Sequence, residues 1–170
     1  MAKIKRSVFF SFHFANDFWR TQQVRNIGVI ARNAVATPNK WEEVKRKGKT
    51  AIRGWIDENM KGKSCLVVLI GSKTANRPWI DYEIEKAWND GKGIVGIRVH
   101  NLKDVNGRQS TAGNNPFSGF TLCEGKRKLS GVIKVKAPNS TTGTGTYKII
   151  ADNIEGWIEE AISIRKNFEC

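Results

Sequence analysis

The stretch CLVVLIGSKTANRPWIDYEIEKAW, Cys65–Trp88, decides the fold. Cys65 to Ile70 form an unbroken apolar run rich in branched side chains, the pattern of a strand covered on both faces in the middle of a parallel sheet. Gly71 and Ser72 end it. Lys73 to Arg77 make a polar connection in which Asn76 can cap the next helix, and Pro78 falls in the first turn, where its missing N–H does no harm. Ile80, Ile84, Ala87 and Trp88 then recur at helical spacing and give one apolar stripe. Trp79 and Glu83 are one turn apart along the edge of that stripe. A carboxylate at Glu83 is thereby held beside aromatic surface near the carboxyl end of a sheet strand, a placement that suits catalysis.

Upstream, Ser7 to Phe12 (SVFFSF) reads as the first strand, with His13 at its end. Asn16 or Asp17 can cap a helix whose inward face would carry Trp19, Gln23, Ile27 and Ile30. Ala34 to Ala36 are expected to form a short second strand, and Thr37 to Lys40 a loop. Trp41 to Met60 looks helical, broken near Gly48, with Ala51, Ile52, Trp55 and Ile56 facing inward. Downstream, Gly91 to Gly93 close the Glu83 helix and Ile94 to Val99 supply another buried strand. Between Asn101 and Ser130 the composition shifts to Gly, Asn, Ser and Lys, with NNPFSGF (Asn114–Phe120) as a turn carrying two aromatic anchors. Val132 to Val135 can form a last strand. Asn139 to Thr146 (NSTTGTGT) is a low-complexity connection whose glycines do not match a nucleotide fingerprint. Ile149 to Phe168 closes the chain as an amphipathic helix with Ile150, Ile154, Trp157, Ile158, Ala161 and Ile162 inward.

Strands and helices alternate, which implies an α/β architecture: one domain over residues 1–170 built on a doubly wound parallel sheet of about five strands in flavodoxin-like order, with a long loop insertion at about 101–131. The ligand crevice of such a sheet lies where strand order reverses, between the first and third strands. Phe10 to His13 and Gly71 to Glu83 should meet there, flanked by Thr37 to Trp41.

Composition narrows the classes. With 170 residues, 39% hydrophobic content and six tryptophans, the chain can bury one good core. No apolar run approaches the roughly 18 residues of a membrane span, and Val8 to Phe10 is too short for a signal peptide, so a cytoplasmic protein without membrane contact is expected. The 29 basic against 16 acidic residues give +13, which favours ligands that carry phosphate. The basic triplets Lys45–Lys47 and Lys126–Lys128 read as solvated surface, and no aromatic-interleaved basic motif indicates specific nucleic-acid binding. Cys65, Cys123 and Cys170 are odd in number, lack metal-ligand spacing and are expected to be reduced thiols. Two histidines, His13 and His100, cannot build a multi-histidine metal cluster, and no metal is expected.

The opening VFFSFH, the following DFWRTQQVRN (Asp17–Asn26), the SKTANRPWIDYEI segment and the later NPFSGF together resemble the TIR-like proteins of the Thoeris anti-phage defence system, its ThsB-type sensors. The resemblance runs from Val8 to Phe120 and is weak beyond. It implies a TIR-type domain that cleaves NAD+ at the nicotinamide–ribose bond, with NAD+ as substrate and no further cofactor. It further implies an ADP-ribose-derived, cyclic signal that diffuses to a separate effector, a phage-derived trigger and self-association. Glu83 occupies the position of the family's catalytic glutamate. Ring and ribose contacts are assigned to Phe10, Ser11, Phe12 and Trp79, with Ser72 near the strand exit.

Plainer readings stand beside this one. On spacing alone, Glu83 is a surface carboxylate in an early helical turn; the resemblance reverses that preference. At least one of Phe9, Phe10 and Phe12 belongs to the core, Trp79 can be a packing anchor, and His13 reads as a hydrogen-bonded strand-end residue. A non-catalytic TIR scaffold that acts through protein–protein assembly is the alternative function. A receiver-like phosphoacceptor is disfavoured because the first strand ends in Ser11, Phe12 and His13 without the paired aspartates that would hold magnesium.

Overall fold

Strands in which consecutive residues are all apolar need a layer of helix on each face, and that requirement organises the molecule. The computed structural model describes residues 5–28 and 38–170, the side chains of 38–41 excepted. Four parallel strands, β1 (Val8–Ser11), β2 (Cys65–Ile70), β3 (Gly93–Arg98) and β6 (Val135–Lys136), lie side by side in the order β1-β2-β3-β6. Helices α1 (Phe14–Arg25), α2 (Pro38–Arg46), α3 (Lys49–Met60), α4 (Pro78–Asn89) and α5 (Gly143–Lys166) connect or cover them, and a small antiparallel hairpin, β4 (Thr121–Leu122) with β5 (Arg127–Lys128), stands apart. The architecture is the α/β one expected, with four strands among the described residues instead of about five. The anticipated strand Ala34–Ala36 lies outside the described residues.

Side-chain alternation sorts the core into two halves. Val8 and Phe10 of β1, with Val67 and Leu69 of β2 and Val95 and Ile97 of β3, pack against Val24 of α1 and Ile150, Ile154, Ile158 and Ala161 of α5. Phe9, Leu66, Val68, Ile70 and Ile94 point the other way, onto Ile52, Ile56 and Met60 of α3 and Ile80, Ile84 and Ala87 of α4. β1 is joined to β2 in the register Val8↔Cys65 to Ser11↔Val68, so the first strand and the apolar run Cys65–Ile70 are immediate neighbours.

Several elements depart from the expectations for identifiable reasons. α1 begins at Phe14 without a side-chain cap, and its buried residues are Asp17, Arg20, Thr21 and Val24, while Trp19 is 50% exposed. A buried ion pair, not an apolar stripe, sets the rotation of that helix. Asn76 is in the left-handed region at φ 62, which its short amide tolerates, and Arg77 occupies the position before α4. Pro38 to Lys40 belong to α2 and not to a loop, in keeping with the acceptance of proline in a first helical turn. α5 starts at Gly143, earlier than expected, because the Thr142 hydroxyl accepts from the Gly145 N–H at 3.0 Å and caps the helix within the glycine-rich run.

The cysteine expectation is also corrected. Cys65 is buried and free, but Cys123 and Cys170 form a disulfide with Cα atoms 5.5 Å apart, across a sequence separation of 47 that gave no pairing signal. The residues near it converge on the end of α4: Phe168 packs edge-on to Trp88 at 4.9 Å, Arg127 lies over Phe168 at 4.9 Å and Arg165 over Trp88 at 4.3 Å.

Two stability predictions follow from these contacts. A Cβ at Gly93 would stand 2.6 Å from the Ile162 backbone nitrogen, so Gly93→Ala must push α5 off the sheet. Its expected cost is about 2 kcal/mol, read as a fall in Tm of about 4–8 °C by calorimetry. Reduction of Cys123–Cys170 should destabilise the protein by about 2–4 kcal/mol; identical melting with and without dithiothreitol would show that the two sulfurs are not paired in solution.

Candidate functional site

Phe9 and Ser11 project from β1 toward the α4 side of the sheet, and α4 turns Ile80, Glu83, Ile84 and Ala87 inward. Ser11 is fully buried at the carboxyl end of its strand, and its hydroxyl donates to Glu83 Oε2. Glu83 is 8% exposed. Burial pushes its carboxyl up to about 8, opposed by the Ser11 hydrogen bond, which favours the charged form. The group is thus a carboxylic acid near neutral pH in the free protein, close to the point at which it ionises.

The other segment expected in the crevice is present as well. Asn16 donates its side-chain amide to Ser72 Oγ at 3.4 Å and to Asp17 Oδ1 at 3.0 Å, joining the start of α1 to the exit of β2. Gly71 lies so close to Asp17 that a Cβ there would meet the carboxylate at 2.2 Å, and the Thr74 hydroxyl accepts from the Gly71 N–H at 2.8 Å. The connection between β2 and α4 is therefore seated directly on the first turn of α1.

The predicted site residues are distributed unevenly. Ser11 and Glu83 touch, and Ser72 is half-buried beside Asn16. Trp79 is half-buried one turn before Glu83, with its ring edge-on to Tyr82 at 6.2 Å and its body against the α3/α4 core. Phe10 is buried on the opposite face of the sheet, among Val67, Leu69 and the α5 residues. Phe12 packs against that same half and stacks on Phe14 at 5.5 Å. Alternation along β1 explains the split: one step in sequence moves a side chain to the other face. Thr37 and the side chains of Pro38 to Trp41 lie outside the described residues. Among the described residues no group of three metal-ligating side chains comes together, and no helix is long and apolar enough to cross a membrane.

Sequence reasoning took Asp17 as a helix cap and passed over Arg20. The two form a buried pair at 3.0 Å. Arg20 also donates to the carbonyls of Leu102 at 2.8 Å, Arg108 at 2.9 Å and Asn16 at 3.2 Å, which ties α1 to the segment after β3. That segment returns to the connection between β2 and α4 at Gly113, where Arg98 donates to the carbonyl at 2.7 Å and a Cβ would meet the Gly71 carbonyl at 2.2 Å. Burial raises the Asp17 carboxyl, against lowering by the Asn16 amide and the Arg20 guanidinium. His13 is held below its ordinary value by burial, then by Arg77, and is neutral near pH 7. The available signal was the three-residue spacing of an acid and an arginine at the start of a helix, which places them on one face.

A protein of Bacillus cereus (strain MSX-D12) named "Putative cyclic ADP-D-ribose synthase ThsB1" is 38% identical over 118 residues, 66% of this chain and 61% of the relative. The chain thus spans less than two thirds of the length of that curated relative. The family described as "Thoeris protein ThsB, TIR-like domain" matches residues 9–104, a span that runs from the second residue of β1 through α1, β2, α4 with Glu83, and β3. That match covers more than half of the sequence, and the chain belongs to the ThsB TIR-like family of Thoeris proteins.

Proposed function

We propose that this protein cleaves NAD+ at the bond between nicotinamide and ribose, with Glu83 as the catalytic carboxylate. The observation that carries the reading is a buried glutamate that accepts a hydrogen bond from a serine at the end of the first strand, both within the family match. Burying a carboxyl in this way weakens the fold, because the ionised form is poorly solvated. A scaffold that worked only by assembly would gain stability from glutamine or leucine at this position. Strongly shifted carboxyls that persist despite such a penalty are characteristic of sites of chemistry.

The reaction suits a single carboxylate. The pyridinium ring of NAD+ is cationic, so when it comes near Glu83 it favours the ionised form. As the bond between ribose C1′ and the ring nitrogen breaks, its electron pair stays with nitrogen and nicotinamide departs neutral, with no proton required from the protein. The ribose passes through an oxocarbenium-like state, and the Glu83 carboxylate stabilises the positive charge while accepting hydrogen bonds from the ribose hydroxyls. Trp79 and Ser72 border this position as ring and ribose contacts. Lys73 and Arg77, exposed in the connection between β2 and α4, lend positive potential for the pyrophosphate. Phe10 and Phe12 act behind the strand by packing.

Capture of the cation by a nucleophile within ADP-ribose gives a cyclic product, whereas capture by water gives free ADP-ribose. The name of the Bacillus cereus relative supports the cyclic outcome. The product then serves as a diffusible nucleotide signal for a separate effector in the cytoplasm, after a phage-derived trigger and self-association bring the enzyme to its active state.

Glu83→Gln is expected to lower nicotinamide release from NAD+ by at least about 100-fold, measured by mass-resolved chromatography of triggered protein. An unchanged rate would remove Glu83 from the mechanism. The carboxyl titrates at about 8 in the folded chain against 4.5 as the ordinary value, so the protonated form contributes stability that is complete below about 4.5 and lost as pH rises through about 8. The Gln variant should therefore melt above the wild type at pH 8.5, by at least about 3 °C, and by less at pH 5. For the wild type, kcat/KM should climb about tenfold per pH unit below the same midpoint and level off above it; a flat profile from pH 6 to 9 would contradict the assignment.

A further inference from the structure

The same strand end holds a second residue whose contribution can be separated from that of Glu83. Ser11 is fully buried, and its backbone is fixed by pairing opposite Val68 in the sheet. Its hydroxyl is directed at Glu83 Oε2. The ionisable groups on the elements around Glu83 are engaged elsewhere. Asp57 of α3 accepts from the Tyr82 hydroxyl at 2.6 Å, and Arg53 lies over the Tyr82 ring at 6.0 Å. Lys86 of α4 pairs with Asp90 at 3.1 Å, and Arg98 of β3 donates to the Gly113 carbonyl at 2.7 Å. Asp17 is paired with Arg20, His13 is neutral near pH 7, and Asp81 lies on the half-exposed side of α4. The influences on the Glu83 carboxyl are thus its burial and the Ser11 hydroxyl.

We infer that Ser11 is the positioning residue of the site: it acts on the reaction through Glu83, fixing one carboxylate oxygen with its hydroxyl, and not through contact with the dinucleotide. This inference rests on the proposed catalytic role of Glu83. Its physical basis is that a hydroxyl donor gains most when its acceptor carries full charge, so Ser11 favours the ionised carboxylate that burial disfavours. A residue on the neighbouring strand face, such as Phe10, could not do this, because the pleat points it at α5.

The test measures the carboxyl directly and the reaction separately. In protein labelled with 13C at glutamate, the Glu83 carboxyl resonance is identified by its loss in Glu83→Gln and titrated in the wild type, Ser11→Ala and Ser11→Thr. Ser11→Ala should move its midpoint up by about one pH unit, and Ser11→Thr, which keeps the hydroxyl on a strand-compatible residue, should return it to the wild-type value. The kcat/KM profile for NAD+ should move by the same amount, so that Ser11→Ala loses about tenfold at pH 7 and recovers above the shifted midpoint. An unmoved carboxyl midpoint in Ser11→Ala overturns the inference. So does a loss of kcat/KM that is uniform across pH with a raised KM, which would mark Ser11 as a substrate contact. A shifted carboxyl midpoint in a protein that shows no NAD+ turnover would overturn the reaction while upholding the coupling of Ser11 to Glu83.

Discussion

The parallel pairing of β1 with β2 governs the rest of the molecule, since it brings two segments that are distant in sequence to one edge of the sheet. The register sets Ser11, the last residue of β1, opposite Val68, two residues before the end of β2, so the turn into α1 and the turn into α4 lie at the same end of the sheet. Alternation then decides which side chains can take part. Phe9 and Ser11 go to the α4 side, Val8 and Phe10 to the α5 side. A shift of the pairing by one residue would bring Phe10 to Glu83 and send Ser11 into the opposite core, so the chemistry proposed for the site depends on the same register that closes both halves of the hydrophobic interior.

Against this well-matched apolar framework, Glu83 stands out. α4 presents four buried residues to the sheet, and three of them, Ile80, Ile84 and Ala87, behave as the helical spacing requires. The fourth is a carboxyl raised to about 8 by burial, with one serine hydroxyl as its compensation. A buried ionisable group with so little support contradicts the pattern of its own helix, and departures of that kind concentrate where function has been placed above stability.

What could be read from the sequence followed the strength of the local signal. The six-residue run Cys65–Ile70 and the apolar spacing of α4 and α5 are periodic and long, and they gave the architecture and the meeting of the first strand with the Glu83 helix. The first turns of α1 were misoriented because their inward face is polar: Asp17 and Arg20 are buried by pairing with each other, which no scale of hydrophobicity registers, whereas Ile27 is buried as expected. The contact between Ser11 and Glu83, 72 residues apart, needed the sheet register and was invisible to local pattern, although both residues were singled out on other grounds. The Cys123–Cys170 bridge was hidden for the same reason, since spacing in sequence carries no information about two loops brought together by a helix end.

The catalysis proposed for Glu83 rests on one carboxylate and so places unusual demands on the rigidity of α4. α4 meets that demand by being held at both ends. Its start follows a connection in which Gly71 lies against the Asp17 carboxylate and the Gly113 backbone lies against the Gly71 backbone, each too close for a Cβ at the glycine. Its far end is gripped through Trp88, whose carbonyl accepts two hydrogen bonds from Arg165, at 3.1 and 3.0 Å, and whose ring meets Phe168. Arg127 of the small hairpin covers Phe168 in turn, and the disulfide ties that hairpin to the residues after α5. Glu83 lies between these two anchors, one and a half turns from each end of the helix on the geometry of 3.6 residues per turn. Elements remote from Glu83, the end of α5 and the small hairpin, thereby share with the segment after β3 in holding the helix that carries it.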